Sequence, residues 1–257
     1  GKRIESGLVI AADHADLGAI VEFEYVRRAS KGRVPSLLAN APGAPAIMRR
    51  AIAGSSYSAK YSRDRRTGFI KCGLQMDSAQ DALTSFYVFA QKAAELSGFP
   101  KSTAQGLVGA IVELEDNIHT HSKRPTTGLI GFRSPTEGVF EFAIADAGIG
   151  VLPSLKQSSD YRGLSDAGSA LRIALSDGGS RFGRNTNHGY GFRPLFSALA
   201  NRYGRLRFRS GDHVLIISGE TPSVSCAYVS QLSEVPGFLI SVSCSMGNVL
   251  RAPTMSA

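Results

Sequence analysis

The chain has 257 residues, 43% hydrophobic and 19% charged, an ordinary globular balance with ample material for a core. Its 29 basic and 21 acidic residues leave a net charge of +8, spread over Arg49 and Arg50, residues 60–66 and residues 202–209, with no aromatic-interleaved motif for nucleic acid. The odd, widely spaced Cys72, Cys226 and Cys244 exclude a C-x-x-C zinc pair and suit reduced thiols in a cytoplasmic protein, and no apolar run reaches the roughly 18–20 residues of a membrane span.

Residues 1–75 form an N-terminal extension whose role the sequence leaves open. Val21, Phe23 and Tyr25 alternate with Glu22 and Glu24, the period of a strand. Val34 to Pro45 carries three prolines and reads as a loop or linker. Residues 76–123 predict two helices. Asp77 or Ser78 caps the first, which runs toward Leu96 and stops at Gly98 and Pro100. Ser102 or Thr103 caps the second, whose Leu107, Ile111, Leu114 and Ile118 fall on one helical face.

The remainder predicts strands around a short helix. Thr127 to Phe132 and Val139 to Ala145 flank the turn from Ser134 to Gly138, and Ser165 to Ala174 is helical. Leu206 to Phe208 and Val214 to Ser218 flank Ser210-Gly211-Asp212 as a second hairpin, and Phe238 to Val242 is a last strand. Helices first and strands after predict an α+β chain, a two-layer α/β sandwich with a mostly antiparallel sheet over residues 76–257.

Three short patterns carry chemistry. In the second helix, Glu113 and Asn117 share a stripe that His121 continues, along the border of the apolar face. An amide oxygen there can ligate a hard cation such as Mg²⁺, and a carboxylate can orient or deprotonate a hydroxyl. The same geometry turns Glu115 away, toward solvent. Asp146-Ala-Gly148-Ile-Gly150 follows a strand, so a carboxylate able to accept from an amino group stands beside glycines that admit a ligand close to the backbone. Gly183 to Phe192 is a polar, glycine-rich loop opening the helix-like run Arg193 to Ala200, a cradle of N–H groups for phosphate. Each pattern alone also fits an ordinary amphipathic helix, turn or loop.

In this order the three patterns resemble the gyrase, chaperone, histidine-kinase and MutL (GHKL) superfamily, whose ATP pocket is called the Bergerat fold. Glu113-x-x-Asp116-Asn117 resembles its N box, Asp146-x-Gly148-x-Gly150 its first glycine box, and Gly189-x-Gly191-Phe192 its second. The resemblance covers roughly residues 80–245 and implies ATP and Mg²⁺ as cofactors. It implies Asn117 as the Mg²⁺ ligand and Glu113 as general base. Asp146 would contact the adenine amino group, with Gly148 and Gly150 shaping the adenine pocket. Gly189, Gly191 and Phe192 would line the triphosphate side, and Val151 to His188 would form a lid. Arg181, Arg184 and Arg193 are the candidates for a cation at the terminal phosphate.

Within the superfamily, Glu113-x-x-x-Asn117-x-x-x-His121 is most similar to anti-sigma-factor-type serine kinases and to stand-alone bacterial ATP-binding proteins. That implies a serine/threonine protein kinase or slow ATPase with a protein partner or substrate, with a homodimer open as its assembly. A non-catalytic, ATP-gated interaction module is the alternative.

Overall fold

The computed structural model describes residues 16–30, 40–74, 77–176, 195, 203–220 and 222–246. Its organising strand is β4 (Val139–Asp146), buried along nearly its whole length. Side chains alternate across a strand, so Phe140, Phe142, Ile144 and Asp146 face one side and Glu141, Ala143 and Ala145 the other. A strand apolar on both faces needs cover on both, and the chain supplies helices to each.

Ahead of β4 run α1 (Leu17–Ala29), α2 (Ala44–Ala53), β1 (Lys60–Tyr61), β2 (Thr67–Lys71), α3 (Asp77–Leu96), α4 (Lys101–His121) and β3 (Leu129–Arg133). After it come α5 (Val151–Leu155), α6 (Ala167–Leu175), β5 (Tyr203–Gly219) and β6 (Tyr228–Ser245). The six strands form one antiparallel sheet in the order β1-β2-β3-β4-β6-β5. The α+β class and the antiparallel sheet agree with the sequence reading.

On the first face, α3 and α4 cover the sheet with Phe86, Ala90, Leu107, Ile111, Leu114 and Ile118, against Phe132, Phe140, Phe142 and Ile144. Leu171 and Leu175 of α6 extend the same core over Leu206, Phe208 and Leu215 of β5. On the second face, Leu17, Ile20, Val21 and Tyr25 of α1 and Ile47 and Met48 of α2 pack on Phe69, Leu129, Ala143, Ala145 and Leu239. Residues 60–71 extend the sheet, and α1 and α2 cover its second face, which answers for these stretches the role left open in the sequence.

Four local expectations are corrected. The strand expected around Val21 to Tyr25 is helix α1, capped by the Asp16 carboxylate, which accepts from Ala19 N. Its buried residues Leu17, Ile20, Val21, Glu24 and Tyr25 follow the helical period, and Val-Glu-Phe-Glu-Tyr satisfied period two only by coincidence. The linker through Pro45 ends earlier, because Pro45 sits in the first turn of α2, where its missing N–H costs nothing. Helix α4 starts at Lys101 with Pro100 as its N-cap, and no side chain caps it. The hairpin at Ser210 to Asp212 is a bulge within continuous β5, where the register to β6 shifts and Gly211 takes φ +59°.

Candidate functional site

Asp146 ends β4 on the first face, 1% exposed. Its Oδ1 accepts from Gly148 N, and its Oδ2 is buried with no partner among the described residues. Burial lifts this carboxyl to about 7, with the Gly148 N–H pulling weakly the other way. A carboxylate oxygen left dry and unpaired is costly unless something donates to it. Asp146 Oδ2 therefore keeps unused acceptor capacity at the end of β4.

The glycines around it are cradles. A Cβ on Gly148 would stand 2.2 Å from the Ser122 carbonyl oxygen and 2.6 Å from Asp146 Oδ1. Gly150, at φ +81°, would bring one to 2.8 Å from Ser210 Oγ. Gly237, at φ +67°, would drive one to 2.0 Å from the Asp146 carbonyl oxygen. No larger residue keeps the loop this close.

The loop is bolted to the C-terminal end of α4. Ile149 N donates to Ser122 O at 3.0 Å, Ala147 N to Thr127 Oγ1 at 2.9 Å, and Arg124 Nη1 reaches Ala147 O at 3.5 Å. Thr127 Oγ1 in turn donates to Arg124 O at 2.7 Å. Lys123 takes φ +62° to turn the chain out of the helix. His121 Nδ1 lies 3.1 Å from Ser154 Oγ on α5, which places the polar stripe of α4 toward the residues following the glycine loop. Asn117 and Glu113 sit one and two turns back along that stripe. Asn117 is half-buried and Glu113 is exposed. The end of α4 thus meets the glycine loop through Ser122, and His121 meets α5, which follows that loop. Gly189, Gly191 and Phe192 lie outside the described residues, as do Arg181, Arg184 and Arg193.

Glu115 is a further correction. It is 6% exposed rather than solvated, and its Oε1 lies 2.8 Å from His119 Nε2. Tyr57 OH stands 3.2 Å from the same nitrogen and donates to Gly73 O. Burial raises the Glu115 carboxyl, against the opposing pull of His119. Glu115 and His119, one turn apart, form a second polar stripe of α4, met by Tyr57, that apolar periodicity alone does not reveal.

Ser122, Thr127, Ser210 and Gly237 complete the loop's surroundings and escaped the sequence reading. Ser210 Oγ accepts from Val151 N at 3.0 Å and donates to Gly237 O at 2.7 Å. Pro236-Gly237 is a turn signal the sequence does print. Ser122 and Thr127 carry no such signal, and the turn-like pattern at Ser210 does not disclose its distant partners Val151 and Gly237.

Among the described residues, no group of three His, Cys, Asp or Glu side chains is arranged to hold a metal, and no helix is long and apolar enough to cross a membrane. Cys72, Cys226 and Cys244 are unpaired thiols. In comparisons with family models, curated proteins and solved structures, the chain matches none.

Proposed function

We propose that this chain binds Mg·ATP in a GHKL-type pocket between α4 and the loop from Asp146 to Gly150. The observation that carries the reading is the buried, unpartnered Asp146 Oδ2 within a cradle that only glycine can form. An exocyclic amino group of adenine supplies the N–H this oxygen lacks, and Gly148 and Gly150 let a flat ring lie against the backbone.

Mg²⁺ fits as a visitor. One protein amide, Asn117, suffices, because Mg²⁺ keeps most of its shell as water and phosphate oxygens. When bound, the ion neutralises charge building on the phosphates. Glu113, on the exposed side of the same stripe, is the carboxylate available to take a proton from a serine hydroxyl or water. In that step the nucleophile's oxygen bonds to the γ-phosphorus, the bond to the β-bridging oxygen breaks, ADP leaves, and the proton passes to Glu113. The chain is on this reading an ATP-dependent protein kinase or slow ATPase. The ATP-gated interaction module shares the pocket and dispenses with Glu113.

Calorimetric titration with Mg·ATP tests the site. Wild-type chain binds in the micromolar range and Asp146→Asn, which replaces an acceptor oxygen by a donor, does not. No binding by the wild-type chain refutes the reading. Glu113→Ala then separates enzyme from module: it abolishes phosphate release or transfer in the first and leaves nucleotide affinity unchanged in both.

A further inference from the structure

The two sides of the sheet meet at the ends of β4 and β5. On β4, Ala145 lies in the core beneath α1, Asp146 faces the first side, and Ala147 packs again on the α1 side. On β5, Arg207 and Arg209 point to α1, and Ser210, the next residue, points to the first face. Glu22 of α1 binds both arginines: Arg207 Nε and Nη2 at 2.5 and 2.7 Å, and Arg209 Nη1 at 2.7 Å. Arg209 Nη2 also donates to Ser233 O at 2.7 Å. Burial raises the Glu22 carboxyl, but the two guanidiniums outweigh it and hold it below its usual range.

Arg209 is only 6% exposed, and its Nε has no partner among the described residues. Its charge is tolerable there because of Glu22. Remove that carboxylate and two guanidiniums remain side by side, one of them buried and uncompensated, a costly state. The strand can yield at one place. The ladder to β6 breaks between Ser210 and Gly211 and again before His213, so β5 can shift there with little loss of pairing. Ser210 is the residue that would move. Its hydroxyl holds Val151 N, at the exit of the glycine loop, and Gly237 O, at the irregularity of β6 that lies directly against Asp146 and Gly148.

We infer that α1 is a control element for the nucleotide site, with Glu22 as the positioning residue that fixes Ser210, and through it the loop from Asp146 to Val151, by way of Arg209. The inference rests on reading that loop as the nucleotide site. Anything that draws Glu22 off Arg209, such as a partner that pulls on α1, loosens the loop. By reciprocity, a ligand that orders the loop tightens α1.

Hydrogen–deuterium exchange on the full chain tests this, without nucleotide first. The amides of Gly148, Ile149 and Val151 each have a named acceptor: Asp146 Oδ1, Ser122 O and Ser210 Oγ. Glu22→Gln is expected to speed exchange over residues 148–151 on the order of tenfold, with α3 and β3 unchanged. Glu22→Asp, which keeps the charge on a shorter stem, restores part of the protection. Unchanged exchange in the loop overturns the inference, and so does an equal rise over the whole sheet, which means simple destabilisation. A second arm adds Mg·ATP, which is expected to slow exchange in α1. Nucleotide that binds without touching α1 overturns the control role. Absence of nucleotide binding refutes the ATP reading, and the nucleotide-free arm still decides whether Glu22 positions the loop.

Discussion

Asp146 is a buried carboxyl group whose titration is measurable. Its folded pKa of about 7 stands above the ordinary carboxylate value of 3.8, because burial penalises the charged form. A raised folded pKa contributes stability that is complete below the unfolded pKa and is lost as pH climbs through the folded one. The ligand-free protein therefore loses stability between about pH 4 and pH 7 on account of this group, by roughly 4 kcal/mol at most. Asp146→Asn lacks the titration. In urea unfolding, the mutant is expected to gain on the wild type as pH rises from 4 to 7, with the difference levelling above 7. A difference that stays flat over this range contradicts the burial argument. On the proposed nucleotide reading, affinity is expected to move oppositely and rise with pH through 7, because the ionised carboxylate is the stronger acceptor for an amino group.

At the scale of elements, the site is a joint between the end of a helix and the end of a strand. Ser122 closes α4 with its carbonyl, and the glycine loop docks on that oxygen through Ile149 N. Gly148 makes the joint possible, because a methyl group there collides with Ser122 O at 2.2 Å. Gly148→Ala overpacks a joint with little slack, for an expected cost of about 1–3 kcal/mol. It also separates the loop from α4, so Mg·ATP binding falls much more than stability does. Calorimetry beside a urea midpoint measures both. Equal retention of binding and fold removes the joint from the account of the site.

The same joint shows what the sequence makes legible. Asp146 at a strand end, the two glycines and the apolar face of α4 stand in local patterns, and the structure has them where those patterns place them. Helix α1 is hidden in the sequence because five alternating residues satisfy a strand period, whereas its partners Arg207 and Arg209 lie about 185 residues away. Glu115 was misplaced for a related reason. A polar residue on a helix reads as solvated unless its partner is known, and here His119, one turn on, pairs with it while Tyr57 caps His119 from a distant part of the chain. The bulge at Gly211 imitates a turn because glycine at positive φ serves both.

For the whole molecule, the decisive fact is that one sheet carries two cores. Phe140, Phe142 and Ile144 belong to the first, Ala143 and Ala145 to the second, and they alternate along a single strand. A strand cannot lose one face and keep the other unaltered, so both helical layers are expected to unfold with the sheet as one unit. Ile20, 2% exposed in the second core, is the place to test this. Ile20→Ala removes three buried carbons, at a cost of about 2–5 kcal/mol. If the two cores are one cooperative unit, urea unfolding of the mutant shifts to a lower midpoint with coincident far-UV circular dichroism and tyrosine signals, tryptophan being absent. Tyr25 and Tyr61 report from the second and first cores respectively. If α1 and α2 instead release first, the two signals part and the mutation moves only the earlier one. Cooperative unfolding also bears on the role given to Glu22: a helix that melts only with the sheet influences the loop by small shifts while docked, through Arg209 and Ser210, and not by leaving.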